Sequence, residues 1–245
     1  MLLYTILRDK FRLLTFRKPG AGIGAHPGAY FAFGLCMTWM AGIGRYWDRD
    51  DAQIWQTMGF GSLAYVCCFA LLLWLLVAPL GPTNWSYRKV LLFVTLTSPP
   101  ALLYAIPVEA LVTPSVAAAL NTGFLAAVAA WRVALLVVFV KQVAGLNGRK
   151  LTVATLLPLA LIVDVLAILG LEHVVYLAML GMSDVAASDG EVAPAILCVI
   201  TDFSILATPV LVACYCLIAF KARATRIQRA VRSSNRSVSH TVVTT

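Results

Sequence analysis

Charge is scarce in this chain. Asp, Glu, Lys and Arg make up 12% of its 245 residues, where a soluble domain carries about 25%. The apolar fraction is 61%, against about 45–50% in soluble proteins. This excludes a fold solvated by water on all sides, because most of these side chains need lipid or a helix bundle around them. Histidine is scarcer still, with only His26, His173 and His240 present. No H-E-x-x-H pair, no C-x-x-C pair, no G-x-S-x-G elbow and no Gly-Lys-Ser/Thr phosphate loop occurs. The sequence therefore offers no zincin helix, thioredoxin-like redox pair, hydrolase nucleophile elbow or nucleotide cradle.

The six cysteines, Cys36, Cys67, Cys68, Cys198, Cys214 and Cys216, all fall inside apolar runs. They read as buried small hydrophobic side chains rather than a disulfide framework.

What is present is a series of long apolar stretches, each near the length of about 20 residues needed to cross a bilayer. Six are expected, at about 28–44, 58–80, 90–112, 114–140, 151–171 and 192–220. The fold class is all-α, a multi-pass integral membrane protein. Before the first span, residues 1–18 place Leu3, Leu7, Phe11 and Leu14 on one helical stripe. Arg8, Lys10, Arg12, Arg17 and Lys18 occupy much of the remaining surface. This is the pattern of a basic amphipathic helix lying on the membrane. It lacks the apolar core of a secretory signal. Residues 19–27 read as a Gly- and Pro-rich loop. Residues 221–245 form a basic tail whose Ser- and Thr-rich composition predicts disorder past Arg232.

Cationic residues set the orientation. With the N-terminus inside, sixteen of the nineteen Lys and Arg fall on the cytoplasmic side, leaving Arg45 and Arg49 outside and Arg132 within a span. This predicts N-in, C-in topology. Tyr46, Trp47 and Trp55 form an aromatic belt at one interface, and Trp85 and Tyr87 at the other. A basic inner face suits anionic lipid, so the net charge of +8 is no sign of nucleic-acid binding. From size and the lack of targeting signals, the expected location is the plasma membrane, as a bacterial inner-membrane protein.

Several polar groups fall within the apolar runs. Arg132 lies well inside the fourth span, with Asn121 about three helical turns earlier on the same side. Asp164 lies near the middle of the fifth span, and Asp202 lies in the outer half of the sixth. A charge at such depth costs about 2.5–3.5 kcal/mol even on the lenient insertion scale, and it needs a partner. Arg132 and Asp164 are expected to form an ion pair between antiparallel neighbours. Ala119, Gly123 and Ala127 repeat every fourth residue on the opposite side of the fourth span, predicting a tight contact with another helix. Pro99 and Pro100 should break the third span mid-membrane, with Thr95, Thr97 and Ser98 beside the break.

Two functions fit these features. The first is a non-enzymatic scaffold or interaction subunit with intramembrane ion pairing, working with other membrane proteins or as a homodimer. The alternative is a small carrier or proton-linked channel using Asp164, Asp202 and Arg132 near the broken third helix. Glu109, Glu172 and His173 form an outer-face polar cluster. Metal binding there has little support without tight ligand spacing. No catalytic residue, metal or cofactor is expected.

Overall fold

The structure is a computed structural model and describes residues 2–17, 20, 22–47, 53–108, 111–171 and 192–242. These residues are all-helical, with no strand among them. The helices are α1 (Leu2–Leu14), α2 (Gly22–Ala25), α3 (Pro27–Gly44), α4 (Ile54–Thr57), α5 (Phe60–Val77), α6 (Tyr87–Leu96), α7 (Pro114–Val143), α8 (Arg149–Ile168) and α9 (Val192–Val242). Short 3-10 segments, Ala78–Leu80 and Pro99–Ala105, follow α5 and α6.

Among the described residues, four segments are long and apolar enough to cross a membrane: Phe60–Leu80, Ala119–Val143, Arg149–Ile168 and Ala195–Thr225. They coincide with the second, fourth, fifth and sixth expected spans. The first expected span is α3, whose eighteen residues include Gly, Tyr, Thr and Trp and are correspondingly less apolar. The third is broken as expected. Helix α6 stops at Leu96, and the chain continues as a 3-10 segment from Pro99, because consecutive prolines withhold backbone donors from the preceding turn. Hydroxyls surround this break. Thr95 Oγ1 donates to the Leu92 carbonyl at 2.9 Å and Thr97 Oγ1 to that of Val94 at 3.0 Å. Ser98 Oγ shares a 2.7 Å hydrogen bond with Thr38 Oγ1 of α3.

The main core joins α5, α6, α7 and α8 through Leu73, Val77, Val90, Phe93, Leu135, Phe139 and Ala154. Phe93 and Phe139 stack with ring centroids 4.0 Å apart. In lipid such contacts act through close packing rather than exclusion of water. Helix α3 approaches its neighbours closely. A Cβ built on Gly34 would lie 2.7 Å from Thr95 Oγ1, and one on Gly42 would lie 2.9 Å from the Gly59 carbonyl oxygen. The small-residue face expected on α7 is instead open. Ala119, Gly123 and Ala127 are exposed, and a Cβ on Gly123 would meet nothing within 4 Å. The same pattern of small residues at four-residue spacing, Gly34, Thr38 and Gly42, does its packing on α3.

Connections fall at two ends. At one, Thr83 N donates to the Ala144 carbonyl at 3.1 Å, and Lys150 Nζ to that of Leu80 at 3.1 Å. The loops expected on the cytoplasmic side thus touch each other. At the other, Trp39 Nε1 donates to the Met58 carbonyl at 2.7 Å, and Trp47 Nε1 to that of Ala105 at 3.2 Å. Helix α8 ends with Gly170 at φ 63°, and Leu171 N donates back to the Leu166 carbonyl. A glycine adopts this left-handed position without a Cβ penalty.

Three further expectations are corrected. The Gly- and Pro-rich loop contains the short helix α2. Helix α9 continues to Val242, past Arg232 where composition predicted order to end. Five of the six cysteines are exposed, and Cys214 is half-buried, so they line the outer surfaces of the spans.

Candidate functional site

The amphipathic helix α1 docks with Asp9 and Lys10 turned inward, while Arg8 and Arg12 stay exposed. Its buried residues are Ile6, Asp9 and Lys10. Leu3, Leu7 and Phe11 of the apolar stripe remain exposed, Phe11 by 67%. Ile6 packs with Tyr30 and Leu96. Asp9 is 0% exposed and accepts a hydrogen bond from Tyr30 Oη at 2.7 Å. Its other oxygen, Oδ1, has no hydrogen-bond partner and lies 3.9 Å from Arg8 Nε. Gly20 and Gly22 close over the carboxylate so tightly that a Cβ on either would lie within 3 Å of it. Lys10 Nζ sits 4.3 Å from the centre of the Phe33 ring, and burial pushes its amine down to about 8.

The C-terminus of α1 is fixed as firmly. Phe16 takes φ 62°, and Arg17 N donates to the Arg12 carbonyl at 2.8 Å. This is a Schellman-type end with phenylalanine where glycine is usual. Trp131 Nε1 of α7 then donates to the Leu14 carbonyl at 2.9 Å.

This buried acid escaped the sequence reading. The available signal was an acid one turn after Ile6, on the side away from the Leu3 stripe, followed by a glycine-rich turn.

The second buried acid is Asp164 on α8, 9% exposed. Ser204 Oγ of α9 lies 2.6 Å from Asp164 Oδ1 and 3.0 Å from the Ala160 carbonyl. Thr201 and Thr208, about one turn either side of Ser204, hold buried Oγ1 atoms without hydrogen-bond partners. A short polar stripe therefore runs along the contact between α8 and α9.

The expected ion pair is absent. Asp164 is answered by a hydroxyl on α9, while the Arg132 guanidinium lies 6.0 Å from the centre of the Tyr65 ring on α5. The antiparallel neighbour relation of α7 and α8 brought these helices together without bringing the two side chains together. Asn121 is half-buried on the same side of α7 as Arg132. Asp202 is exposed on α9, with Cys198 Sγ 3.6 Å from its Oδ2. Asp164, Asp202 and Arg132 thus do not converge on one site. Pro99 and Pro100 lie at the helix break beside Ser98, which bonds to Thr38. Glu109, Glu172 and His173 lie outside the described residues.

A groove of about 500 Å³ opens beside the middle of α9, between Pro79, Tyr215, Phe220 and Arg223. It combines one cation with apolar and aromatic walls. The chain matches no protein-family model, no curated protein and no solved structure.

Proposed function

We propose that this chain is a non-enzymatic integral membrane protein acting as a scaffold or interaction subunit. It crosses the plasma membrane of a bacterium six times with both termini inside. The observation that carries the reading is the seat of Asp164. Its carboxylate is buried in the packed contact of α8 and α9, held by Ser204 at 2.6 Å. There it fixes how two helices meet, and the polar groups at the Pro99 break and around Asp9 likewise bind helix to helix. The cations of the inner face, including Arg223 in its apolar groove, favour anionic lipid as a partner.

A second reading has one observation in its favour. Thr201, Ser204, Thr208 and Asp164 form a polar stripe along two spans, the type of lining a proton-linked carrier uses. Purified protein in sealed vesicles containing a pH-sensitive dye, under an imposed potential, separates the two. The scaffold reading expects proton flux equal to that of empty vesicles. Flux that disappears in Asp164→Asn would replace it with the carrier reading.

A further inference from the structure

The last span meets the rest of the protein along one side. Val199, Phe203, Leu206, Val210 and Leu217 are all exposed, Leu206 by 76%. Asp202 sits within this outward apolar surface. It is two residues from Ser204, which turns its side chain by about 200° from the α8 contact. Its side chain meets Cys198, a thiol one turn away, with Sγ 3.6 Å from Oδ2. A carboxylate facing acyl chains is expensive and acquires a partner. The chain also carries the complementary charge. Arg132 is half-buried over Tyr65 and pairs with no carboxylate among the described residues.

We propose that a second copy of this chain covers the exposed face of α9, with Arg132 of one copy paired to Asp202 of the partner subunit. Twofold symmetry makes the reciprocal pair at the same time. Arg132 lies about thirteen residues below the outer end of its span and Asp202 about seven below its own, roughly 20 and 10 Å. Both helices have their N-termini outward in this arrangement, so both side chains lean outward, and the longer arginine stem reaches further that way to narrow the difference in depth. Each charge thereby gains a counter-ion that the described residues of its own copy do not supply. The inference rests on the assembly role proposed above and names its first partner. A monomer in solution overturns the inference alone, whereas Asp164-dependent proton flux overturns that role alone.

The test uses full-length chains with two different affinity tags, co-expressed and extracted in mild detergent. Wild-type chains should capture each other and run as a two-copy species by native mass spectrometry. Asp202→Arg and Arg132→Asp, each alone, should lower self-capture by about tenfold or more, because like charges then face each other. Mixing the two variants should restore capture, since both reciprocal pairs are again opposite in sign. A monomeric wild type, undiminished self-capture of the single variants, or no recovery on mixing overturns the proposal. Where the reversals do not accumulate, a chain retaining only Cys198 and carrying Tyr65→Cys provides the second measurement. Mild oxidation in membranes should cross-link it into a dimer, and its remaining monomeric would overturn the pairing.

Discussion

Ser204 Oγ donates to Asp164 Oδ1 at 2.6 Å, so a hydroxyl on α9 answers the midspan acid of α8. Removing the hydroxyl leaves a buried carboxylate without this donor, a loss of about 1–3 kcal/mol. Ser204→Ala should therefore lower thermal stability in detergent, while Asp164→Asn, which keeps an acceptor oxygen, should be milder. A double-mutant cycle should give a coupling of about 1 kcal/mol for Ser204 with Asp164, within the range for contacting residues. The same cycle for Arg132 with Asp164 should give a value near zero. A large Arg132–Asp164 coupling would contradict the geometry.

Glycine positions give the second prediction. Gly34→Ala places a methyl 2.7 Å from Thr95 Oγ1 and 3.2 Å from the Thr95 backbone carbon. Overpacking of this kind costs about 1–3 kcal/mol. Gly123→Ala meets nothing within 4 Å and removes a flexible residue from a helix interior, a gain of about 0.5–1 kcal/mol. Unfolding temperatures of the two variants should move in opposite directions. A fall for Gly123→Ala matching that for Gly34→Ala would refute the assignment of the close contact to α3.

Lys10 makes α1 docking depend on pH. Burial holds its amine at about 8, below the ordinary 10.5. Between these values the undocked or unfolded chain binds more protons than the native one, so stability rises with pH across that window. Below pH 8 the full cost of burying the charged amine is present. Thermal unfolding from pH 7 to pH 10.5 should show a rising contribution that Lys10→Met lacks. Identical pH profiles for the two proteins would remove Lys10 as the cause.

Loop contacts predict topology. The loops at 81–86 and 144–148 touch through Thr83 and Ala144, so they lie on one side. Fusions of a reporter active only in the cytoplasm, placed after residues 87 and 147 and at the C-terminus, should all give signal. Fusions at 50 and 186 should be silent. Activity at 186 would break the six-span arrangement.

Helix positions were legible because hydropathy and length are properties of a segment. The spans starting near 58, 114 and 151 emerge as α5, α7 and α8 within a few residues. The break at Pro99–Pro100 was equally legible, since missing donors act locally whatever surrounds them. Partner choice was not. Depth along a helix left Arg132 and Asp164 in reach of each other, but it does not fix rotation about the axis. Rotation gave Asp164 to Ser204 and Arg132 to Tyr65. Small-residue spacing carried the same ambiguity, because Gly123 and Gly34 lie in similar patterns and only α3 has a neighbour close enough to use it. Asp9 was hidden for a third reason: burial of Asp9 and Lys10 beneath α1, with Leu3, Leu7 and Phe11 left exposed, reverses the usual orientation rule.

The bond from Trp131 to the Leu14 carbonyl has a consequence for the order of biogenesis. Helix α1 is the first of the described helices to be synthesised. Its seat is made from Tyr30, then Leu92 and Leu96, and finally Trp131, and the last of these is added more than a hundred residues later. While the ribosome is still working through the middle of the chain, α1 has no completed place to dock. During that interval its Leu3, Leu7 and Phe11 surface is as exposed as it stays after docking. The first of the described helices to emerge is thus among the later ones to be locked, and a chain stalled before α7 is complete would leave α1 without its last contact, from Trp131 to Leu14.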